Sequence, residues 1–131
     1  MYISDMERTV IANAGLTIGD LGHFAEASAL HHAVIDTVIE AARTITRIEE
    51  DLREKINTGR RDLDTAQAAL DAGQWLNPSG ILQDTGRMID TLAARRQDAY
   101  RHLTAVCRTA AALPHPNMIT GERASADSAA P

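Results

Sequence analysis

The sequence predicts an all-α protein built on a long, coiled-coil-like antiparallel helical hairpin. Between Leu30 and Leu70, apolar residues recur every three or four positions, which is the period of one face of an α-helix. A second segment with this period follows a short connection, and a short connection makes two helices antiparallel. The chain contains 23 alanines, and alanine is the best helix former and lets helices pack closely, which favours an all-α fold over a sheet. We expect a single helical domain over residues 1–113 and a small-residue, polar, disordered tail over residues 114–131.

A short N-terminal helix is predicted over residues 5–14. Ser4 and Glu7 have the spacing of a capping box, in which each side chain accepts a hydrogen bond from the backbone N–H of the other residue. Gly15 then occupies the position of a left-handed C-terminal cap.

The central element is predicted as one continuous helix over residues 18–72. Thr17 and Asp20 repeat the capping-box spacing at its start, and Gly73 follows its end. The Asn-Thr-Gly triplet at 57–59 is a break signal, but the apolar rhythm keeps its phase across it, so we expect the helix to continue. The predicted seam positions are Val34, Val38, Ala41, Ile45, Ile48, Leu52, Ile56, Gly59, Leu63, Ala66 and Leu70.

The predicted hairpin tip consists of Trp75, Leu76, Asn77 and Pro78. Asn77 is suited to an N-cap and Pro78 to the first position of a helix, so the return helix is expected over residues 78–113. Trp75 is expected to cover the end of the seam between the two long helices.

Mirroring the chain about this turn predicts which residues meet across the seam. Apolar residues then face apolar residues at nearly every level. Asp62 is expected near Asp90, and Glu49 near Arg101 and His102.

The segment from Phe24 to Ala42 has an apolar arc that is broader than one seam requires. If the arc stayed exposed, it would form the contiguous apolar patch that marks an interface. We therefore expect a homodimer, or a pairing with another helical protein, through Phe24, Ile35, Ile39 and Ala42.

The sequence indicates no catalytic residue, cofactor, small-molecule substrate or metal site. His32, Asp36 and Glu40 share one helical face, but a di-metal bundle needs paired Glu-x-x-His motifs on two helices. Cys107 has no His or Asn placed to activate it, and the chain has no Gly-rich phosphate loop. We expect a non-enzymatic, self-associating scaffold or adaptor that acts through protein–protein contacts.

Charge and hydropathy limit the partners and the compartment. The net charge of −5 gives no reason to expect nucleic acid as a partner. Charged residues interrupt every apolar run before it reaches the roughly eighteen residues of a membrane span. The first residues carry acids where a signal peptide needs bases, and the chain has a single cysteine. We therefore expect a cytoplasmic protein.

A small helix-turn-helix-like DNA-binding regulator is one alternative. Residues 14–24 read Ala-Gly-Leu-Thr-Ile-Gly-Asp-Leu-Gly-His-Phe. This segment resembles the reader segment of tetracycline-repressor-type regulators, in which Ala-Gly-Val-Ser-x-Gly-x-Leu precedes Tyr-x-His-Phe. The stretch between Leu21 and His23 is one residue shorter than that pattern and lacks its aromatic residue. The resemblance implies DNA binding, which the charges of Asp20 and Glu26 oppose.

An exported helical-hairpin partner protein is the second alternative. Trp75 at the bend resembles the turn of the small secreted helical hairpins of type VII export, which carries Trp-x-Gly. In this sequence Asn77 replaces the glycine. The C-terminal signal of those proteins also requires an acid four residues after a tyrosine, and here Thr104 follows Tyr100 at that spacing.

Overall fold

The computed structural model describes residues 2–17, 29–76 and 80–113. Three groups of predictions therefore lie outside the described residues. These are the start of the long helix with Phe24 and the helix-turn-helix-like segment beyond Thr17, the tip residues Asn77 and Pro78, and the tail over residues 114–131.

The described part of the chain is all-α. It contains the helices α1 (Asp5–Asn13), α2 (Ala29–Asp71) and α3 (Gln83–Ala112), and no strand. The two long helices pack against each other in opposite directions and follow a short N-terminal helix, so the predicted fold class is confirmed. No helix in the described ranges has an apolar stretch long enough to cross a membrane.

The predicted capping box begins α1. The Ser4 hydroxyl accepts a hydrogen bond of 3.3 Å from the Glu7 backbone N–H, and the Glu7 carboxylate accepts one of 2.7 Å from the Ser4 backbone N–H. The helix ends at Asn13, one residue before the predicted end, and Gly15 follows with a φ of +98°. A positive φ is the backbone conformation for which glycine was expected at this position.

Helix α2 is continuous through the Asn-Thr-Gly triplet at residues 57–59, as predicted. The helix has 43 residues, which corresponds to about 65 Å at 1.5 Å per residue. Its C-terminal end is closed by two backbone hydrogen bonds, from Gln74 to the Ala69 carbonyl at 2.8 Å and from Gly73 to the Leu70 carbonyl at 3.0 Å. Gly73 has a φ of +70°, and this pattern is the Schellman cap.

Helix α3 begins at Gln83, later than the predicted start near residue 78. Gly80 has a φ of +100°, which an α-helix cannot include, so the helix starts only beyond it. Pro78 predicts an earlier start because proline suits the first helical position, whereas the positive φ of Gly80 has no signature in the apolar pattern.

Contacts within the chain fall into two compact units, residues 1–43 with 100–131 and residues 44–99. In its described part, the first unit contains α1, the N-terminal part of α2 and the C-terminal part of α3. Three helical segments therefore contribute to its core. The buried apolar side chains of this unit are Val10, Ile11, Ala14, Leu16, Ile35, Val38, Ile39, Ala42, Leu103, Cys107 and Ala110.

The predicted intermolecular surface on Ile35, Ile39 and Ala42 is corrected by this core. The three side chains are 3%, 3% and 0% exposed within the single chain, so they are not available on its surface. The broad apolar arc is explained by several helical neighbours inside the first unit, and the structure removes the reason for placing a second copy there.

A partly buried ion pair links α1 to α2 within the first unit. Arg43 donates a hydrogen bond of 3.1 Å from Nε to the Glu7 carboxylate, whose side chain is 11% exposed. The backbone hydrogen bond from Ser4 is the largest influence on the Glu7 carboxyl and lowers its pKa, and Arg43 lowers that pKa further. The charged form of Glu7 is therefore the one that the fold stabilises.

Candidate protein–protein interface

The seam of the second unit brings α2 and α3 close together at Gly59. A Cβ atom placed on this glycine would lie 3.6 Å from the side chains of Leu82 and Thr85 and 3.8 Å from that of Ile89. These are ordinary van der Waals distances, so the two helices approach each other at this level without filling all the available space.

Two polar contacts set the register of this seam. Arg96 donates a hydrogen bond of 2.8 Å to Glu49, and Thr85 donates one of 3.4 Å to Asp62. The predicted register, with Glu49 near Arg101 and His102 and Asp62 near Asp90, is therefore wrong by about one and a half turns of helix.

The path of the connection is compatible with this register. Gly80 and Ile81 line one shallow cavity of 310 Å³ together with Asp62 and Thr65 of α2. The chain therefore runs back along α2 before α3 begins, whereas the mirrored register assumed a tight turn.

Three large apolar side chains form an exposed line on α2. Ile56, Leu63 and Leu70 are 36%, 48% and 60% exposed, and they recur at every seventh position. Residues seven apart lie on one side of a helix. We call Ile56, Leu63 and Leu70 the α2 stripe.

The apolar period predicts the α2 stripe inside the seam together with Gly59 and Ala66. The structure divides this set, because Gly59 and Ala66 are buried and the α2 stripe is exposed. One facing helix covers only part of an apolar arc of that width. The signal that separates the two groups is the pair of interleaved seven-residue series, one of small residues and one of large residues.

A shallow groove lies between the two helices of this unit, beside Met88, whose exposed fraction is 46%. Its volume is 420 Å³, and it is open along one side. Charges of both signs line it, from Lys55, Arg87 and Arg95 and from Asp51 and Glu54. This mixed lining gives the groove no preference for a ligand of one charge.

The described residues of the predicted hairpin tip do not cover the seam. Trp75 is 100% exposed, which corrects its expected role, and Leu76 is half-buried. Leu76 and the exposed indole of Trp75 both line the cavity beside Asp62 and Ala66 of α2.

The residues considered as metal ligands or as a nucleophile lie in different environments. His32, Asp36 and Glu40 are exposed, and no group of three His, Cys, Asp or Glu side chains in the described ranges is placed to hold a metal ion. Cys107 is buried, and burial raises the pKa of its thiol, which disfavours the reactive thiolate.

Comparison with protein-family models, with curated proteins and with solved structures finds no match for this chain.

Proposed function

We propose that this protein is a non-enzymatic, self-associating helical scaffold or adaptor that acts through protein–protein contacts of the α2 stripe. The observation that supports the proposal is the exposure of Ile56, Leu63 and Leu70 in one line at heptad spacing. Single exposed apolar residues are ordinary on a protein surface, but an aligned line of them is the pattern by which helices pair.

The hydrophobic effect favours burial of the α2 stripe by a partner. Full burial of a large aliphatic side chain contributes about 1.5–3 kcal/mol to the free energy of association. The side chains of the α2 stripe are between 36% and 60% exposed, so part of this free energy is still available. Covering Ile56, Leu63 and Leu70 on two partners at once therefore supplies several kcal/mol of association energy. Part of this energy is lost to the cost of immobilising two molecules.

We place this activity in the cytoplasm. Cys107, the single cysteine of the chain, is buried and has a raised thiol pKa, as is usual for a structural cysteine in a reducing compartment.

Mass measurements on two matched variants test the proposal. Light scattering and sedimentation at tens of micromolar are expected to give a mass above that of one 14.1 kDa chain. Leu63→Glu should return the mass to that of the monomer, because it places a charge in the middle of the α2 stripe. Met88→Glu is the control, since Met88 has an exposed fraction of 46% against 48% for Leu63 but lies on α3.

The control also defines the outcome that contradicts the proposal. A wild-type chain that stays monomeric up to the solubility limit and binds no other helical protein would remove it. An assembly that survives Leu63→Glu but dissociates with Met88→Glu would move the interface away from the α2 stripe. Circular dichroism of each variant checks that the helices are retained.

A further inference from the structure

A row of polar residues accompanies the α2 stripe on its solvent side. Its six positions are separated by alternating steps of four and three, so they lie along one line of the helix, and all of them are exposed. We call this line the α2 charged row, and its residues are Arg53, Asn57, Arg60, Asp64, Gln67 and Asp71.

The charges of this row are segregated by sign. Both bases lie in its N-terminal half and both acids in its C-terminal half, with one uncharged amide in each half. Read backwards, the row carries the opposite charge at each position. A line of this kind is complementary to a reversed copy of itself.

Antiparallel pairing of two α2 helices uses this complementarity. It places Arg60 of one copy opposite Asp64 of the other, and Arg53 opposite Asp71. Parallel two-fold pairing would turn the two charged rows to opposite sides of the interface, so that they would not face each other. Opposite charges across an interface favour association and fix its register, and like charges oppose it.

The same antiparallel operation matches the apolar residues. With the two-fold axis near Leu63, this residue meets its own copy, and Ile56 of each chain meets Leu70 of the other. A two-fold interface brings one surface patch against the same patch of the second copy. The α2 stripe and the α2 charged row both meet this condition, and the two-fold axes that they require lie within a fraction of a helical turn of each other.

We propose that the partner of the α2 stripe is a second copy of this chain, paired through antiparallel α2 helices about an axis near Leu63. This inference rests on the proposed function and specifies its partner and geometry. The charged row sets the orientation, and the stripe supplies most of the association energy.

Charge reversal tests the facing pairs. Arg60→Glu and Asp64→Arg are each expected to raise the Kd of the dimer about tenfold, because the ion pair that each variant removes occurs twice in a symmetric dimer. The double variant Arg60→Glu with Asp64→Arg restores opposite charges and should bring the Kd back to within about threefold of the wild-type value. Arg61→Glu is the matched control, since Arg61 is also exposed but lies outside the row.

Disulfide formation tests the orientation directly. In the antiparallel pair Asn57 of one copy faces Gln67 of the other, and the two Asn57 residues are separated by about ten residues of helix, or about 15 Å. A mixture of Asn57→Cys and Gln67→Cys chains should therefore cross-link, and neither chain should cross-link alone. Wild-type protein is the background control, because Cys107 is buried.

The outcomes separate this inference from the proposed function. Efficient cross-linking of the Asn57→Cys chain with itself would overturn the antiparallel arrangement. An unchanged Kd in both single charge variants would overturn the facing pairs. In either case a dimeric wild-type mass, lost in Leu63→Glu, would leave the scaffold function standing. A monomeric wild-type mass would remove self-association and the antiparallel pair together.

Discussion

The two units of this chain contain the same two long helices but use their apolar residues differently. In the first unit the broad apolar arc of α2, with Ile35, Val38 and Ile39, is buried. In the second unit Ile45 and Ala66 are the buried apolar residues, and the α2 stripe remains in contact with water.

The number of helical neighbours explains this difference. Among the described residues, the first unit adds α1 to the two long helices, and the second unit adds only the connection. A helix with two neighbours can bury a wide arc, and a helix with one neighbour buries a single narrow line. An apolar residue on α2 is therefore structural in one unit and available for binding in the other.

The largest expected effect comes from truncating a core leucine. Leu103 is fully buried in the first unit, so Leu103→Ala should lower the free energy of unfolding by about 2–5 kcal/mol. Leu63→Ala in the second unit should cost about 1 kcal/mol or less in dilute solution, because Leu63 is half-exposed in the monomer. Urea melts followed by circular dichroism measure both, and equal losses would erase the contrast between the units.

The capping contact of α1 should give a pH-dependent effect of about 1–2 kcal/mol. Because the pKa of Glu7 is lowered in the folded state, its contribution is present above the ordinary value of 4.5 and is lost as the pH falls through the folded value. Glu7→Gln should therefore destabilise the protein at neutral pH, and its difference from wild type should shrink below pH 4.5.

The pH series has a direct check. Denaturant melts at several pH values give the difference between wild type and Glu7→Gln. A difference that persists unchanged at low pH would show that the ionised carboxylate is not what holds α1 to Arg43.

The smallest effect tests how tightly the seam of the second unit is packed. Gly59 is helical and has room for a methyl group, so Gly59→Ala should raise the free energy of unfolding by up to about 1 kcal/mol. Gly73→Ala is the control, since Gly73 has open space around it but a φ of +70°, and the change should lower stability by about 1 kcal/mol. A destabilised Gly59→Ala variant would mean that the seam is full.

Local signals in the sequence predicted the helices well. The hydrogen bonds of Ser4 and Glu7 form within four residues, so the start of α1 could be read from their spacing. The continuity of α2 through the triplet at residues 57–59 followed from apolar residues that stay in phase across it.

The contacts between helices were predicted less well, because they depend on distances that a linear pattern does not contain. The periodicity marked Leu63 and Ala66 alike as seam residues, whereas the packing of α3 buries Ala66 and leaves Leu63 exposed. The start of α3 likewise depended on Gly80, whose positive φ delays it. The interface predicted at Ile35 and Ile39 rested on their apolar pattern alone. That pattern does not show that other segments of the same chain bury these two side chains.

The returning connection also makes the hairpin tolerant of insertion. Because the contacts of Glu49 with Arg96 and of Asp62 with Thr85 fix the register, the length of chain between Gly73 and Gly80 does not. Closing a flexible loop of twice the length costs only about 0.6 kcal/mol more. A foreign peptide grafted beside the fully exposed Trp75 would therefore be displayed on the hairpin while the pairing of its helices stays the same.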